Sequence, residues 1–191
     1  MRPVAEGNGK LIVITGPSGV GKSTIAREVL RRTGAAFSVS ATTRPPRPGE
    51  ADGREYRFVD RATFEKMVAS GELLEHAEVF GECYGTPAAP VRQALADGRT
   101  VVLEIDVQGG MQVHRAMPAA TFVLVAPPDD DELRRRLTAR ATESPEAAAR
   151  RLARAEEELR AARESGIYEY TVINDDLDRA VEDVVRIVTR E

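Results

Sequence analysis

Gly16-Pro17-Ser18-Gly19-Val20-Gly21-Lys22-Ser23 decides how this chain is read, because it matches the phosphate-binding pattern G-x-x-x-x-G-K-[ST] at every fixed position. Ahead of it, Leu11-Ile12-Val13-Ile14 is a short, wholly apolar run, the pattern of a strand buried on both faces. Behind it, Ile25, Val29 and Leu30 share a helical face, and Gly34 supplies a helix stop. Strand, glycine loop and helix therefore come in the order the chemistry needs. Glycines let backbone N–H groups close around phosphate oxygens, and the helix N-terminus adds partial positive charge. Lys22 would reach the outer phosphates and the Ser23 hydroxyl would ligate Mg²⁺.

The rest of the chain places this unit in an α/β protein. Val101-Val102-Leu103-Glu104-Ile105-Asp106 and Phe122-Val123-Leu124-Val125 are further buried-strand patterns, and Ile167 to Ile173 supplies another. Helices are expected from near Gln108 to Pro118, from Asp129 to Ala139 and from Ser144-Pro145-Glu146 onward. The last carries a stripe of Ala148, Leu152, Ala155, Leu159 and Ala162, with Arg154/Glu158 and Glu156/Arg160 on a solvent face. A final amphipathic helix follows a cap at Asn174 or Asp175. Strands alternating with helices predict a three-layer core with a parallel sheet.

Residues 40–86 have a different texture. Phe37 to Ser40, Tyr56 to Val59 and Leu73 to Val79 read as strands, with a short helix through Phe64, Met67 and Val68. Between them Thr42-Thr43-Arg44-Pro45-Pro46-Arg47-Pro48-Gly49-Glu50 is a stiff loop that holds two arginines at a set separation. Thr86-Pro87 reads as a helix N-cap followed by proline at the first helical position, and Gly98 ends that helix. A small strand-rich module inserted in the core is the simplest account.

Composition narrows the chemistry. A net charge of −4 opposes a nonspecific nucleic-acid binder, so any anion site is local. The single Cys83 excludes an internal disulfide and a cysteine-based metal site, and suits a cytoplasmic protein. Met1 to Lys10 lacks the apolar core of a secretion signal, and no apolar run reaches membrane-spanning length. His76 and His114 read as strand and surface residues with no metal-like partner at useful spacing. Asp106 alone is open between a carboxylate facing Mg²⁺ and a strand that merely ends at a polar turn. If the acceptor is itself a phosphate, no general base is required, and catalysis rests on cations and positioning. Arg44 and Arg47, or the arginines from Arg134 to Arg151, could supply those cations.

Taken together, Gly16 to Thr24, Ser38 to Glu50, Gly53-Arg54-Glu55-Tyr56, Glu75, Tyr84-Gly85-Thr86, Glu104 to Gly109, Arg136 through Arg140 with Thr142-Glu143, Arg151 and Ile173 to Leu177 resemble the guanylate kinase family over essentially the whole chain. The resemblance implies transfer of phosphate from MgATP to GMP, and to dGMP, within purine nucleotide metabolism. It implies a core of 10–40, 89–128 and 164–191, a GMP-binding insert of 41–88, a helical lid of 129–163, and a loose tail at 1–9. ATP would be held by Gly16, Pro17, Ser18, Gly19, Val20, Gly21, Lys22, Ser23 and Thr24, with Arg136, Asn174 and Asp175. GMP would be held by Arg44, Arg47, Tyr56 and Tyr84 at its phosphate, by Ser40, Glu75 and Thr86 at guanine, and by Asp106. Lys22, Arg47, Arg140 and Arg151 would act on the transferring group. Ser23 would hold Mg²⁺, with Asp106 acting through water. A carboxylate at Glu75 can accept from guanine N1–H and N2–H₂ together, whereas adenine offers an acceptor at N1. No nucleic acid or membrane partner is implied. Three positions depart from the family's common residues: Glu104 in place of aspartate, Ala141 in place of glycine, and Cys83 in place of tyrosine or a polar residue. A kinase acting on a phosphorylated sugar would lack the guanine-reading residues, a noncatalytic phosphopeptide-binding relative would have a damaged phosphate loop, and a regulatory GTPase would carry an N-K-x-D motif.

Overall fold

The computed structural model describes residues 9–79, 81–138 and 145–190. The tail expected at 1–9 is therefore outside the described residues except for Gly9, as are Arg140, Ala141, Thr142 and Glu143. Five parallel strands form the core sheet: β1 (Leu11–Thr15), β2 (Ala36–Phe37), β7 (Val101–Glu104), β8 (Thr121–Ala126) and β9 (Tyr170–Ile173). Their order across the sheet is β2-β7-β1-β8-β9. All five residues of β1 are buried, as the central place of that strand demands.

Alternation along β1 sends its side chains into two separate cores. Ile12 and Ile14 pack with Ile25 and Val29 of α1 (Lys22–Thr33) and with Val181 and Val184 of α7 (Leu177–Thr189). Leu11 and Val13 face the other layer, with Val91 of α3 (Ala88–Ala96) and Val113 of α4 (Val107–Ala116). The expected three-layer α/β core with a parallel sheet is thus present. A smaller apolar cluster joins Leu133 and Leu137 of α5 (Asp130–Thr138) to Ala155 and Leu159 of α6 (Pro145–Ser165).

A second sheet is built from β3 (Ala41–Thr42), β4 (Arg57–Phe58), β5 (Leu73–Val79) and β6 (Glu82–Pro87), in the order β4-β3-β6-β5. Phe64 and Met67 of α2 (Arg61–Ala69) close one face of it over Ala41 and Cys83. Cys83 is a buried small side chain there.

Several boundaries differ from the sequence reading. The strand expected at Phe37–Ser40 is only Ala36–Phe37, because the chain leaves the first sheet at Ser38 to join the second at Ala41. Thr86 is not a helix cap: Pro87 takes that place, and the Thr86 hydroxyl is used elsewhere. The strand expected to end at Asp106 ends at Glu104, and Asp106 instead caps α4 by accepting from Gly109 N at 2.7 Å. Asp176, rather than Asn174 or Asp175, caps α7. His114 is not a surface residue, since it packs edge-on to Phe122 at 5.2 Å. Among the described residues no helix is long and apolar enough to cross a membrane.

Leu103 is only 1% exposed and sits in the sheet's second core layer. Leu103→Ala should therefore lower unfolding free energy by about 2–5 kcal/mol, through lost transfer energy and a residual cavity. Urea titration checks this.

Candidate active site

The loop between β1 and α1 is shaped by close packing as much as by backbone freedom. Gly16, Gly19 and Gly21 all have positive φ, at 149°, 83° and 95°. A Cβ at Gly16 would stand 2.2 Å from the Val125 carbonyl oxygen, and one at Gly21 would stand 2.5 Å from Asn174 Nδ2. Asn174, itself buried, donates through Nδ2 to the Val20 carbonyl at 2.8 Å and so props the loop from the end of β9. Pro17 and Val20 are buried, while Ser18 and Thr24 are exposed. α1 starts at a left-handed Gly21 with no side-chain cap and no acid in its first turn, whereas aspartates cap α2, α4 and α7. Its first N–H groups are left to an anion.

The Lys22 ammonium donates to the carbonyls of Gly16 at 2.6 Å and Pro17 at 2.9 Å. Burial pushes its pKa down, against the pull of the Glu104, Glu158 and Asp106 carboxylates. The Ser23 hydroxyl donates to Glu104 Oε1 at 2.5 Å. The carboxylate next to Ser23 is thus that of Glu104 at the end of β7, while Asp106 faces α4.

Lys22 also lines a cavity of about 270 Å³ with Ser40, Tyr56, Glu75, Ala77, Val79, Tyr84, Glu104, Ile105 and Asp106. Residues from the phosphate loop, β5, β6 and the β7–α4 turn thus meet at one opening between the two sheets. Glu75 is 5% exposed and accepts from the Thr86 hydroxyl at 2.7 Å. Burial pushes its pKa up to about 7, and the nearby Asp106 charge adds to the rise, while Thr86 opposes it. A Cβ on Gly109 would lie 2.8 Å from Glu75 Oε2. Only glycine leaves room for that carboxylate.

Arg44 and Arg47 stand outside these lining residues. Arg44 Nη2 donates to both Glu50 carboxylate oxygens, at 2.9 Å to each, and the guanidinium lies 5.4 Å from the Tyr56 ring centre. The Arg47 amide donates to Glu50 and its side chain is exposed. Tyr56 and Tyr84 meet edge-on at 5.9 Å. Arg136 donates to the Asn174 carbonyl at 2.9 Å and to Glu132 at 2.6 Å. Asp175 is ion-paired with Arg179. Arg151 is half-buried on α6, and Arg140 lies outside the described residues.

The expected solvent face of α6 is in part a cleft face. Glu158 is 8% exposed and accepts from Arg154 Nε at 2.9 Å, while Arg154 Nη2 lies 3.7 Å from Asp106 Oδ2. The stepping 151, 155, 158, 162 repeats every three or four residues, so the sequence itself allowed Glu158 on the inner side of the stripe.

A glycine loop that opens a helix, with its lysine lining a cavity walled by tyrosines and a buried carboxylate, defines a P-loop phosphotransferase of the nucleotide-kinase class. A family model described as "Guanylate kinase" matches residues 8–191, and the chain belongs to that family. It is 51% identical over 183 residues to a guanylate kinase of Thermus thermophilus, covering 96% of this chain and 82% of the relative. It is 53% identical over 182 residues to one of Nocardia farcinica, covering 94% and 93%. A crystal structure of guanylate kinase from Anaplasma phagocytophilum superposes with a TM-score of 0.76 at 32% identity, over 94% of this chain and 84% of that one.

The usual value for a glutamate is 4.5 and Glu75 titrates near 7 in the fold, so between those values the folded protein takes up a proton that the unfolded chain does not. Lowering the pH from about 7 to 4.5 should then stabilise the protein by up to about 3 kcal/mol relative to Glu75→Gln. Paired urea titrations across that range measure the difference, and parallel curves would refute it.

Proposed function

We propose that this protein transfers the γ-phosphate of MgATP to GMP, giving ADP and GDP, and that it also accepts dGMP. One observation carries the reading: Lys22 of the phosphate loop and the buried Glu75–Thr86 pair face the same cavity. A base-reading carboxylate is thereby put within one nucleotide's reach of the donor loop.

In this reading the backbone from Gly16 to Thr24 wraps the ATP phosphates, and Lys22 exchanges its two loop carbonyls for phosphate oxygens. Ser23 and Glu104 present hard oxygen donors side by side, which suits Mg²⁺, and Asp106, which lines the same cavity as Glu104, would act through a water. The metal ion, when bound, neutralises charge on the donor phosphates. Glu75, once ionised, accepts from guanine N1–H and N2–H₂, with Ser40 and Thr86 completing the edge. Because Glu75 holds its proton up to about pH 7 in the free protein, guanine binding releases that proton. Arg44, stacked by Tyr56 and aimed by Glu50, takes the acceptor phosphate with Arg47, Tyr56 and Tyr84. An oxygen of that phosphate attacks the γ-phosphorus as the bond to the ADP oxygen breaks. The nucleophile is already an anion, so no base takes part.

Residues 129–163 act in this reading as a closing arm that brings Arg136, Arg140 and Arg151 to the transferring group. Asn174 and Asp175 border the ATP base, and residues 41–88 form the acceptor module. Closure excludes water and makes phosphate the acceptor.

A coupled ADP-release assay with GMP, AMP, CMP and UMP tests this. GMP should be strongly preferred, and Lys22→Met should lower kcat by about 100-fold or more. Equal rates with GMP and AMP would overturn the guanine assignment. Turnover unchanged in Lys22→Met would overturn the loop mechanism.

A further inference from the structure

β5 is an edge strand of the second sheet, and its register with β6 shifts between Leu73 and Glu75. Glu75 therefore sits at an irregularity, where the ladder that should fix its direction is interrupted. The residue after it is held from outside the sheet. Gln112 of α4 accepts from the His76 amide through Oε1 at 3.1 Å and donates through Nε2 to the His76 carbonyl at 2.9 Å. One side-chain amide thus supplies both hydrogen bonds that a neighbouring strand would have made.

Gln112 does not act alone on that side of α4. Asp106, Gly109 and Gln112 are spaced by three and project from one side of the helix. Asp106 fixes the first turn by accepting from Gly109 N, and the missing Cβ of Gly109 makes the space that Glu75 Oε2 occupies. Gln112 then sets how far the strand carrying Glu75 stands from the helix. A partly exposed single hydrogen bond would give little restraint, but two from one planar amide fix both distance and twist.

We infer that Gln112 is a positioning residue for guanine selectivity, locking edge strand β5 to α4 so that the Glu75 carboxylate is aimed at two donors of the base rather than one. The inference rests on Glu75 reading guanine, as proposed above. Two-point acceptance depends on direction: a carboxylate tilted by loosening of β5 keeps one donor and loses the other. The ligand that reports the second donor is inosine monophosphate, which keeps N1–H and lacks the 2-amino group.

The test compares Gln112→Met, Gly109→Ala and Glu75→Gln with the unaltered enzyme, each shown by circular dichroism to be folded at the assay temperature, with kcat and KM measured for GMP, IMP and ATP. Gln112→Met retains size and removes both hydrogen bonds. Its ratio of kcat/KM for GMP over IMP should fall about tenfold, by a rise in KM for GMP, with KM for ATP changed less than about twofold. Gly109→Ala, which pushes on Glu75 from the same helix, should lower the ratio in the same direction. If Glu75→Gln lowers the ratio and Gln112→Met with Gly109→Ala does not, the positioning role is overturned and the guanine assignment stands. If Glu75→Gln leaves the ratio intact, the guanine assignment falls, and this inference with it. Equal rises in KM for GMP and ATP in Gln112→Met would show a general loosening of the fold and would also overturn it.

Discussion

The carboxylate of Asp106 is the point through which the phosphate loop, the second sheet and α6 act on one another. It accepts from Gly109 N, lies 3.7 Å from the Arg154 guanidinium, and shares a cavity wall with Lys22 and Glu75. In so narrow a space one charge acts on several groups, because screening by water is weak. Its charge helps keep the Lys22 ammonium protonated against burial, and the same charge discourages ionisation of Glu75. The free site therefore favours a cation toward the donor side and a neutral carboxyl toward the acceptor side. A ligand carrying N–H donors to Glu75 reverses that second preference by stabilising the carboxylate.

The phosphate loop depends on its surroundings in a comparable way. Its glycines are needed for proximity as well as for their positive φ, since Val125, Leu137 and Asn174 occupy the space that side chains at Gly16, Gly19 and Gly21 would take. Asn174 receives the Arg136 guanidinium on its carbonyl and gives its own amide to Val20, so α5, the end of β9 and the loop form one hydrogen-bonded chain. A residue that a sequence argument connects with the nucleotide base is, in the structure, a pillar of the loop.

The fold was legible because burial on both faces of a strand leaves a mark that local pattern can show. Leu11 to Ile14 and Phe122 to Val125 contain no polar residue, and the segment Leu73 to Val79, bounded by Gly71 and Gly81, is a strand over its full length. Ends of elements were less legible, because an aspartate after an apolar run fits a strand end and a helix cap equally well. Asp106 and Asp176 were resolved only by their bonds to Gly109 and Arg179. Thr86-Pro87 has the composition of a helix start, but the hydroxyl goes to Glu75, a partner 11 residues away that no local rule reaches. Arg154 and Glu158 have the spacing of a surface ion pair, and their place in the cleft depends on where Asp106 lies. For Thr86, Asp106 and the Arg154/Glu158 pair, local chemistry singled out a polar group and tertiary packing chose its partner, whereas the cap of α7 falls at Asp176, a residue beyond those the sequence pointed to.

The carboxylates of the cleft explain why arginines surround it. Lys22 has Glu104, Glu158 and Asp106 within electrostatic reach, so this lysine alone cannot offset two phosphorylated ligands as well. Guanidinium groups are present nearby, each held on a carboxylate: Arg44 on Glu50, Arg136 on Glu132 and Arg154 on Glu158. Arg44 and Arg136 are thereby oriented on carboxylates that do not line the cavity, whereas Arg154 rests on the cleft acids themselves. Such pairs also lower the barrier to accepting phosphate. An arginine that moves from a carboxylate to a phosphate exchanges one anion contact for another and does not have to be stripped of water afresh. The carboxylate left behind remains partly open to solvent: the Glu50 side chain is 18% exposed and that of Glu132 17%, while Glu158 has 9%. Glu50 and Glu132 can therefore be rehydrated when their arginines leave. Glu158 is the most enclosed of the three, so release of Arg154 would strand a charge beside Lys22, and this pair is the one the architecture holds in place.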